Sequence, residues 1–232
     1  MSIRQLPLPL KLQDHAVFES YHSTGNESVV AFLNDTVESK DGPGGWLWGA
    51  QSTGKTHLLQ AVCERAGNRA QFVPLMGLHE TGPGVLDGLE NREFVCIDDV
   101  DRIARDDEWE FALFALFNAL ADAGGVVLCA ASAAPRECGF RLADLESRYS
   151  NLPTFQLKSL DDESRIEALK LRAHHRGLEL SSETASFLLS RSRRDMSSLY
   201  ALLDTLDAEA LKAKRRLTIP FVKEVLATIP PD

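Results

Sequence analysis

The sequence predicts an α/β fold: a phosphate-loop body with a mostly parallel five-stranded sheet, followed by a small all-helical lid domain. Three observations predict it. A loop of pattern G-x-x-x-x-G-K-[ST] joins a short apolar strand to a helix at Gly49–Thr56. Apolar, strand-like runs alternate with helical ones as far as residue 157. After Leu160 the strand signal fades and only helical segments remain. Strands that alternate with helices imply parallel pairing, with helices on both faces of the sheet.

Residues 1–12 are an extended, Pro-punctuated head. Pro7 and Pro9 lack an N–H donor and push the residue before each into an extended conformation, which excludes helix. Residues 13–25 form an irregular connection. Asn26 is expected to cap a helix from Glu27 to Ser39, with Val29, Val30, Phe32 and Leu33 on its apolar face. The run 41–45, Asp-Gly-Pro-Gly-Gly, breaks the chain before the strand Trp46–Trp48. Further strands are expected at Gln71–Leu75, Phe94–Ile97, Val126–Ala130 and Thr154–Leu157. Helices are expected around Cys63, around Val85–Glu90, and from Glu108 to Ala123, where Gly124-Gly125 ends the last.

In the second domain, Asp161 to Ser164 open a helix that runs to His175. Ser181 or Ser182 caps the next, ending near Ser192. A third spans Asp195 to Lys214 and a fourth Ile219 to Ala227, with Pro220 in a permitted first-turn position. The expected division is a head at 1–12, an α/β body at 13–157 and a lid at 158–232.

Composition narrows the class. Over 232 residues, 44% are hydrophobic and 25% charged, as in an ordinary globular protein. No apolar run reaches the roughly 20 residues that span a bilayer, and the first residues carry no apolar signal core, so a cytoplasmic protein is expected. Cys63, Cys96, Cys129 and Cys138 show no metal-ligand spacing and read as reduced core thiols. The net charge of −9 is uneven: residues 1–157 hold 12 Lys/Arg against 22 Asp/Glu, and residues 158–232 hold 13 against 12. An acidic body argues against sequence-independent DNA binding, which requires many cations against phosphates.

The chemistry concentrates in a few positions. Gly49, Ala50, Gln51, Ser52, Thr53 and Gly54 form a loop whose backbone N–H groups can turn inward around phosphates. The helix N-terminus that follows favours an anion. Lys55 is expected on the β- and γ-phosphates and Thr56 on Mg²⁺, so the cofactors are ADP or ATP with Mg²⁺. Phe94–Ile97 ends in Asp98 and Asp99, 43 and 44 residues after Lys55. In a phosphate-loop protein, Asp98 would hold Mg²⁺ through water and Asp99 would orient the attacking water. Ser132, at the end of the next strand, is either a γ-phosphate contact or a turn serine. Arg141 and Arg148 are exposed-arginine candidates near a domain edge. Arg193 and Arg194 precede the third lid helix, where the dipole disfavours cations unless an anion compensates.

These elements together resemble the AAA+ ATPases, and within them the nucleotide-binding region of the bacterial replication initiator DnaA. Phe18, Gly25-Asn26-Glu27, Gly54-Lys55-Thr56-His57-Leu58-Leu59, Ile97-Asp98-Asp99, Pro135, Ser147-Arg148 and Arg194-Asp195 fall where that pattern expects them. The resemblance covers nearly all of residues 13–228. It adds His57 and Arg194 to the nucleotide site and makes Arg148 an arginine finger. DnaA proteins continue into a DNA-reading helix-turn-helix domain, whereas this sequence stops after the expected lid. The head, Gln5-Leu6-Pro7-Leu8-Pro9-Leu10, resembles the sliding-clamp motif Q-L-[SDP]-L-P-L, with Gln5 at a pocket rim and Leu6, Leu8 and Leu10 in apolar clefts beside Pro9.

The combination is similar to DnaA-related regulators of replication initiation. The resemblance implies a protein that binds the sliding clamp (the DNA polymerase III beta subunit), touches DNA indirectly through it, and with ADP bound stimulates hydrolysis of DnaA-bound ATP through Arg148. Ala130 and Ser132 stand where the initiators usually place Thr and Asp, which implies weak or absent ATPase activity of its own. A homo-oligomer through the same surfaces is possible. Two rivals remain: a DNA-remodelling or helicase-loading ATPase, and a non-catalytic adaptor between clamp and DnaA-like partners.

Overall fold

The computed structural model describes residues 16–40, 42, 44–191 and 195–228. Strands β1 (Gly44–Trp48), β2 (Ala70–Pro74), β3 (Phe94–Asp98), β4 (Val126–Ala131) and β5 (Thr154–Gln156) form one sheet in the order β2-β3-β4-β1-β5. Every pairing is parallel. Helix α1 (Glu27–Ser39) precedes β1, and between the strands run α2 (Lys55–Ala66), α3 (Leu75–Leu78), α4 (Asp107–Ala123) and α5 (Ala143–Ser150).

Strands β1, β3 and β4 are buried almost throughout because both faces of the sheet are covered, whereas the edge strand β5 exposes Thr154 and Gln156. Along β3, Phe94 and Cys96 point to the face holding Leu33 of α1 and Leu58, Leu59 and Val62 of α2. Val95 and Ile97 point to the other face, toward Trp109, Leu113 and Leu120 of α4 and Leu145 of α5. Cys63, Cys96 and Cys129 are buried free thiols. Among the described residues no helix is long and apolar enough to cross a membrane.

The second domain holds α6 (Asp162–His175), α7 (Ser182–Arg191), α8 (Met196–Ala213) and α9 (Ile219–Leu226). Its core gathers Leu169, Leu188, Leu199, Leu203, Leu206, Phe221 and Val222. The capping chemistry follows the sequence. Asp161 accepts from the Ser164 N–H at 2.8 Å, and Asp195 from the Ser198 N–H at 2.8 Å. Each relieves one orphan donor of its first turn.

Two local expectations fail, and one helix is present that no expectation covered. Asn26 precedes α1, but its side chain caps nothing there. It bonds both backbone groups of Lys158 instead, accepting from the N–H at 2.8 Å and donating to the carbonyl at 3.1 Å. The segment around Val85–Glu90 is no α-helix but two 3₁₀ turns, Pro83–Leu86 and Leu89–Asn91, set apart by Gly88 in a left-handed conformation. Those turns deliver Leu86 and Leu89 into the core beneath α4. Finally, α5 carries no sequence signal of its own, because its N-cap position is Leu142, which has no capping side chain.

Candidate nucleotide site

The phosphate loop leaves the sheet where only glycine fits. At Gly49 a Cβ would lie 2.7 Å from the Leu157 carbonyl oxygen, and the Leu157 N–H already donates to the Trp48 carbonyl at 2.7 Å. Gly54 has φ +94°, and a Cβ there would strike the Tyr21 ring at 2.5 Å. Thr53 closes the loop by donating to the Ala50 carbonyl at 3.0 Å, while the Tyr21 hydroxyl donates to the Thr53 carbonyl at 3.2 Å. Ala50 and Gln51 form the exposed tip. Lys55 turns its ammonium back onto the loop, onto the carbonyls of Gly49 at 2.8 Å and Ala50 at 2.9 Å.

Thr56, on the first turn of α2, donates to Asp98 Oδ2 at 2.6 Å. Two residues 42 positions apart are thus brought together at the strand ends. Burial pushes the Asp98 carboxyl up to about 6, against the Thr56 hydrogen bond that pulls it down; the neighbouring Asp99 charge adds to the rise. Burial also raises Asp99, with Asp101 contributing, and lowers Lys55 against the pull of Asp98, Asp99 and Asp101. Asp99 sits at φ +57°, ψ +42°, and starts a 3₁₀ turn, Val100–Ile103. A buried carboxylate beside a hydroxyl, with a second carboxylate next in sequence, offers the oxygen donors that suit Mg²⁺, and the Lys55 ammonium suits a phosphate.

His57 bonds the linker, residues 17–21, that leads into α1. Its Nε2–H donates to the Val17 carbonyl at 2.9 Å, which fixes the tautomer, and its ring lies 5.5 Å from that of Tyr21. Burial holds it down at about 4, so it is neutral. It thereby locks the turn Phe18–Ser20 and Tyr21 against the start of α2.

The lid reaches the loop directly. Ser197, on the first turn of α8, and Ser52 of the loop share a hydroxyl–hydroxyl hydrogen bond of 2.9 Å. On the other side of the linker, the exposed His175 donates to the Glu19 carbonyl at 2.9 Å. Neither contact has a sequence motif. Arg194 lies outside the described residues, and so do Arg193 and the head residues Gln5, Leu6, Leu8, Pro9 and Leu10.

Ser132 donates to Asp101 Oδ2 at 2.6 Å, and its N–H to Oδ1 at 3.2 Å. It therefore organises the turn that follows Asp99. Arg148 is exposed on α5, with its guanidinium 6.0 Å above the Phe117 ring. Among the described residues it has no carboxylate partner. Arg141 differs: it pairs with Asp107 at 3.3 Å. The neighbour of Arg148, Tyr149, is buried and packs on Trp46, Phe117 and Phe140, with ring centroids 5.0, 6.0 and 5.8 Å away. Sequence reasoning missed Glu110, a buried acid on the apolar helix α4. Its signal was the isolated charge itself, since a carboxylate on a core face must find donors.

With this geometry established, the likeness to known proteins is specific. Residues 162–226 match the family model described as "Hda, lid domain", and residues 45–125 match one described as "RNA helicase". An uncharacterized protein of Haemophilus influenzae is 40% identical over 227 residues, covering 96% of this chain and 98% of that one. Domain III of the Thermotoga maritima replication initiation protein DnaA superposes with a TM-score of 0.75 at 18% identity, over 91% of this chain and 95% of that one. AMPPCP-bound DnaA from Aquifex aeolicus gives 0.68 at 20% identity, over 87% and 68%. An intact phosphate loop, a β4 strand lying between β1 and β3, and a lid of the matching type all point one way: the chain belongs to the Hda/DnaA-like AAA+ family.

Proposed function

We propose that this protein is a regulator of chromosomal replication initiation that binds the sliding clamp through Gln5–Leu10 and stimulates hydrolysis of DnaA-bound ATP through Arg148. The observation that carries the reading is the state of Arg148. A guanidinium exposed on a helix fixed by a buried tyrosine, with no carboxylate among the described residues to neutralise it, is suited to an anion on another molecule. Arginines supplied in trans contribute about 10³–10⁵ in rate to phosphoryl transfer by stabilising charge on the transferring oxygens.

The chain's own site is read as an ADP or ATP site. Gly49–Gly54 would surround the phosphates, Lys55 would turn from its loop carbonyls to them, and Thr56 with Asp98 would hold Mg²⁺. When bound, the cation would neutralise phosphate charge. Asp99 is assigned the water-orienting position, and Arg194 a lid contact to the nucleotide. Ser132 is bound to Asp101, which leaves it no free hydroxyl proton for a γ-phosphate and favours nucleotide retention over turnover. The Ser52–Ser197 bond ties the loop to the lid, so a nucleotide there biases the lid's position.

The test is ATP hydrolysis by DnaA in the presence of DNA-loaded clamp and ADP. Arg148→Ala is expected to abolish stimulation and keep clamp binding; stimulation at the wild-type level removes the finger role. Gln5→Ala with Leu6→Ala is expected to release the protein from immobilised clamp without changing nucleotide affinity. The intact Lys55-Thr56 and Asp98-Asp99 pairs favour one second reading, a DNA-remodelling or helicase-loading ATPase. DNA-dependent ATP turnover by the purified protein alone decides for it.

A further inference from the structure

We propose that Glu110 is a positioning residue for Arg148, the carboxylate that fixes where the finger helix starts and ties it to the segment following Asp98-Asp99. The inference rests on the reading of Arg148 as the residue that acts on a partner's nucleotide.

Glu110 is 1% exposed on α4, among Trp109, Leu113 and Phe117. No lysine or arginine side chain forms an ion pair with it among the described residues. Its charge is met by backbone alone. Oε2 accepts from the Leu142 N–H at 2.7 Å and the Arg141 N–H at 2.9 Å. Oε1 accepts from the Arg105 N–H at 2.7 Å and, more weakly, the Arg141 N–H at 3.2 Å. A carboxylate satisfied by several backbone donors is both tolerated in a core and geometrically demanding, since each donor is charge-assisted and directional.

The donors come from two functional segments. Arg141 and Leu142 are the entry to α5, whose N-cap residue Leu142 cannot cap it. Arg105, at φ +72°, ends the loop that begins at Asp98 and passes through Asp101, the partner of Ser132. At the far end of α5, Tyr149 is set among Trp46, Phe117 and Phe140. Trp46 lies on β1, three residues before Gly49. The finger helix therefore has two anchors, one leading to the acidic turn and one to the phosphate-loop strand. Arg148 emerges between them. A rearrangement of the Asp98–Arg105 segment would move the Arg105 N–H and, through the shared carboxylate, the start of α5.

The experiment uses Glu110→Gln in the full chain, with Arg148→Ala as control. Glutamine keeps the volume, but its amide nitrogen donates where two N–H groups require acceptors. Four readouts are taken: the global melting temperature, hydrogen exchange of the amides at 105 and 141–150, affinity for ADP, and stimulation of DnaA ATP hydrolysis in the presence of DNA-loaded clamp and ADP. The expected result is faster exchange confined to 105 and 141–150, and a roughly 10- to 100-fold loss of stimulation, the size expected of a finger misplaced by about 1 Å. Affinity for ADP, read with a fluorescent analogue, is expected to stay within about twofold, an allowance small beside that loss. Glu110→Asp, which keeps the charge on a shorter arm, is expected to recover part of the stimulation.

Unchanged exchange at 141–150 overturns the proposal, and so does unchanged stimulation by Glu110→Gln when Arg148→Ala abolishes it. Exchange that rises uniformly across the protein with a collapsed melting temperature overturns it too, because the role is then only structural. If Arg148→Ala retains full stimulation while Glu110→Gln frees the 141–150 amides, the finger reading falls, and with it the catalytic sense of the positioning.

Discussion

Asn26→Ala tests how the body holds the strap that leads to the lid. Asn26 is 2% exposed, and its amide makes both hydrogen bonds with the backbone of Lys158. The next residue back, Leu157, donates to the Trp48 carbonyl, and its own carbonyl faces Gly49. One side chain thus pins the segment against which the phosphate loop departs. Each neutral hydrogen bond contributes about 1 kcal/mol net. Two are lost in the alanine variant, so destabilisation of about 2 kcal/mol is expected. The larger figures for orphaned buried groups do not apply, because Lys158 is an exposed residue and its backbone can recruit water. For a protein of this size that is a fall of about 4–8 °C in melting temperature. Asn26→Asp separates the two bonds. It keeps an acceptor for the Lys158 N–H but sets a carboxylate against the Lys158 carbonyl, and is expected to fare no better than alanine. Denaturant unfolding measures both variants, and a fluorescent ADP analogue reports whether the phosphate loop loosens in parallel. A change below about 0.5 kcal/mol for Asn26→Ala, the range of an ordinary surface substitution, would refute the reasoning.

Three further outcomes are expected. Gly54→Ala meets both a left-handed φ of +94° and the Tyr21 ring, and should lower ADP affinity at least tenfold, about 1.4 kcal/mol, while the far-UV circular dichroism stays unchanged; wild-type affinity refutes it. Thr56→Val removes the hydroxyl bonded to Asp98, so ADP affinity should become insensitive to EDTA; an EDTA effect equal to that on the wild type contradicts the assigned cation site. The Glu93 carboxylate is held below its ordinary range by the Lys40 hydrogen bond and then by Arg69. A lowered carboxylate stabilises the fold above its unfolded pKa and loses that contribution as pH falls through the folded value, so Glu93→Gln should flatten the stability slope between about pH 5 and 3. Both partners are partly exposed, which keeps the effect small. An unaltered acid slope counts against it.

Local chemistry made much of this protein legible. Strand and helix positions follow from apolar runs and caps, because Asp161 and Asp195 each accept from a donor three residues away. The phosphate loop is equally local: eight consecutive residues carry the glycines, the ammonium and the hydroxyl. The misreadings lie where a side chain had a choice. Asn26 stood at a cap position, yet a backbone segment 132 residues away offered it two bonds instead of one. Around Val85–Glu90 the helical composition yielded to glycine geometry and to the depth at which Leu86 and Leu89 bury.

The sequence by itself determined a parallel α/β body, a helical second domain and the loop between β1 and α2, since these depend on periodicity and on near neighbours along the chain. Only the tertiary structure decided that β4 separates β1 from β3, that Ser52 bonds the lid at Ser197, and that Glu110 receives α5. Those pairings join positions 31 to 145 residues apart. No periodicity encodes them; strand order and the burial of unpaired polar groups select them when the layers close.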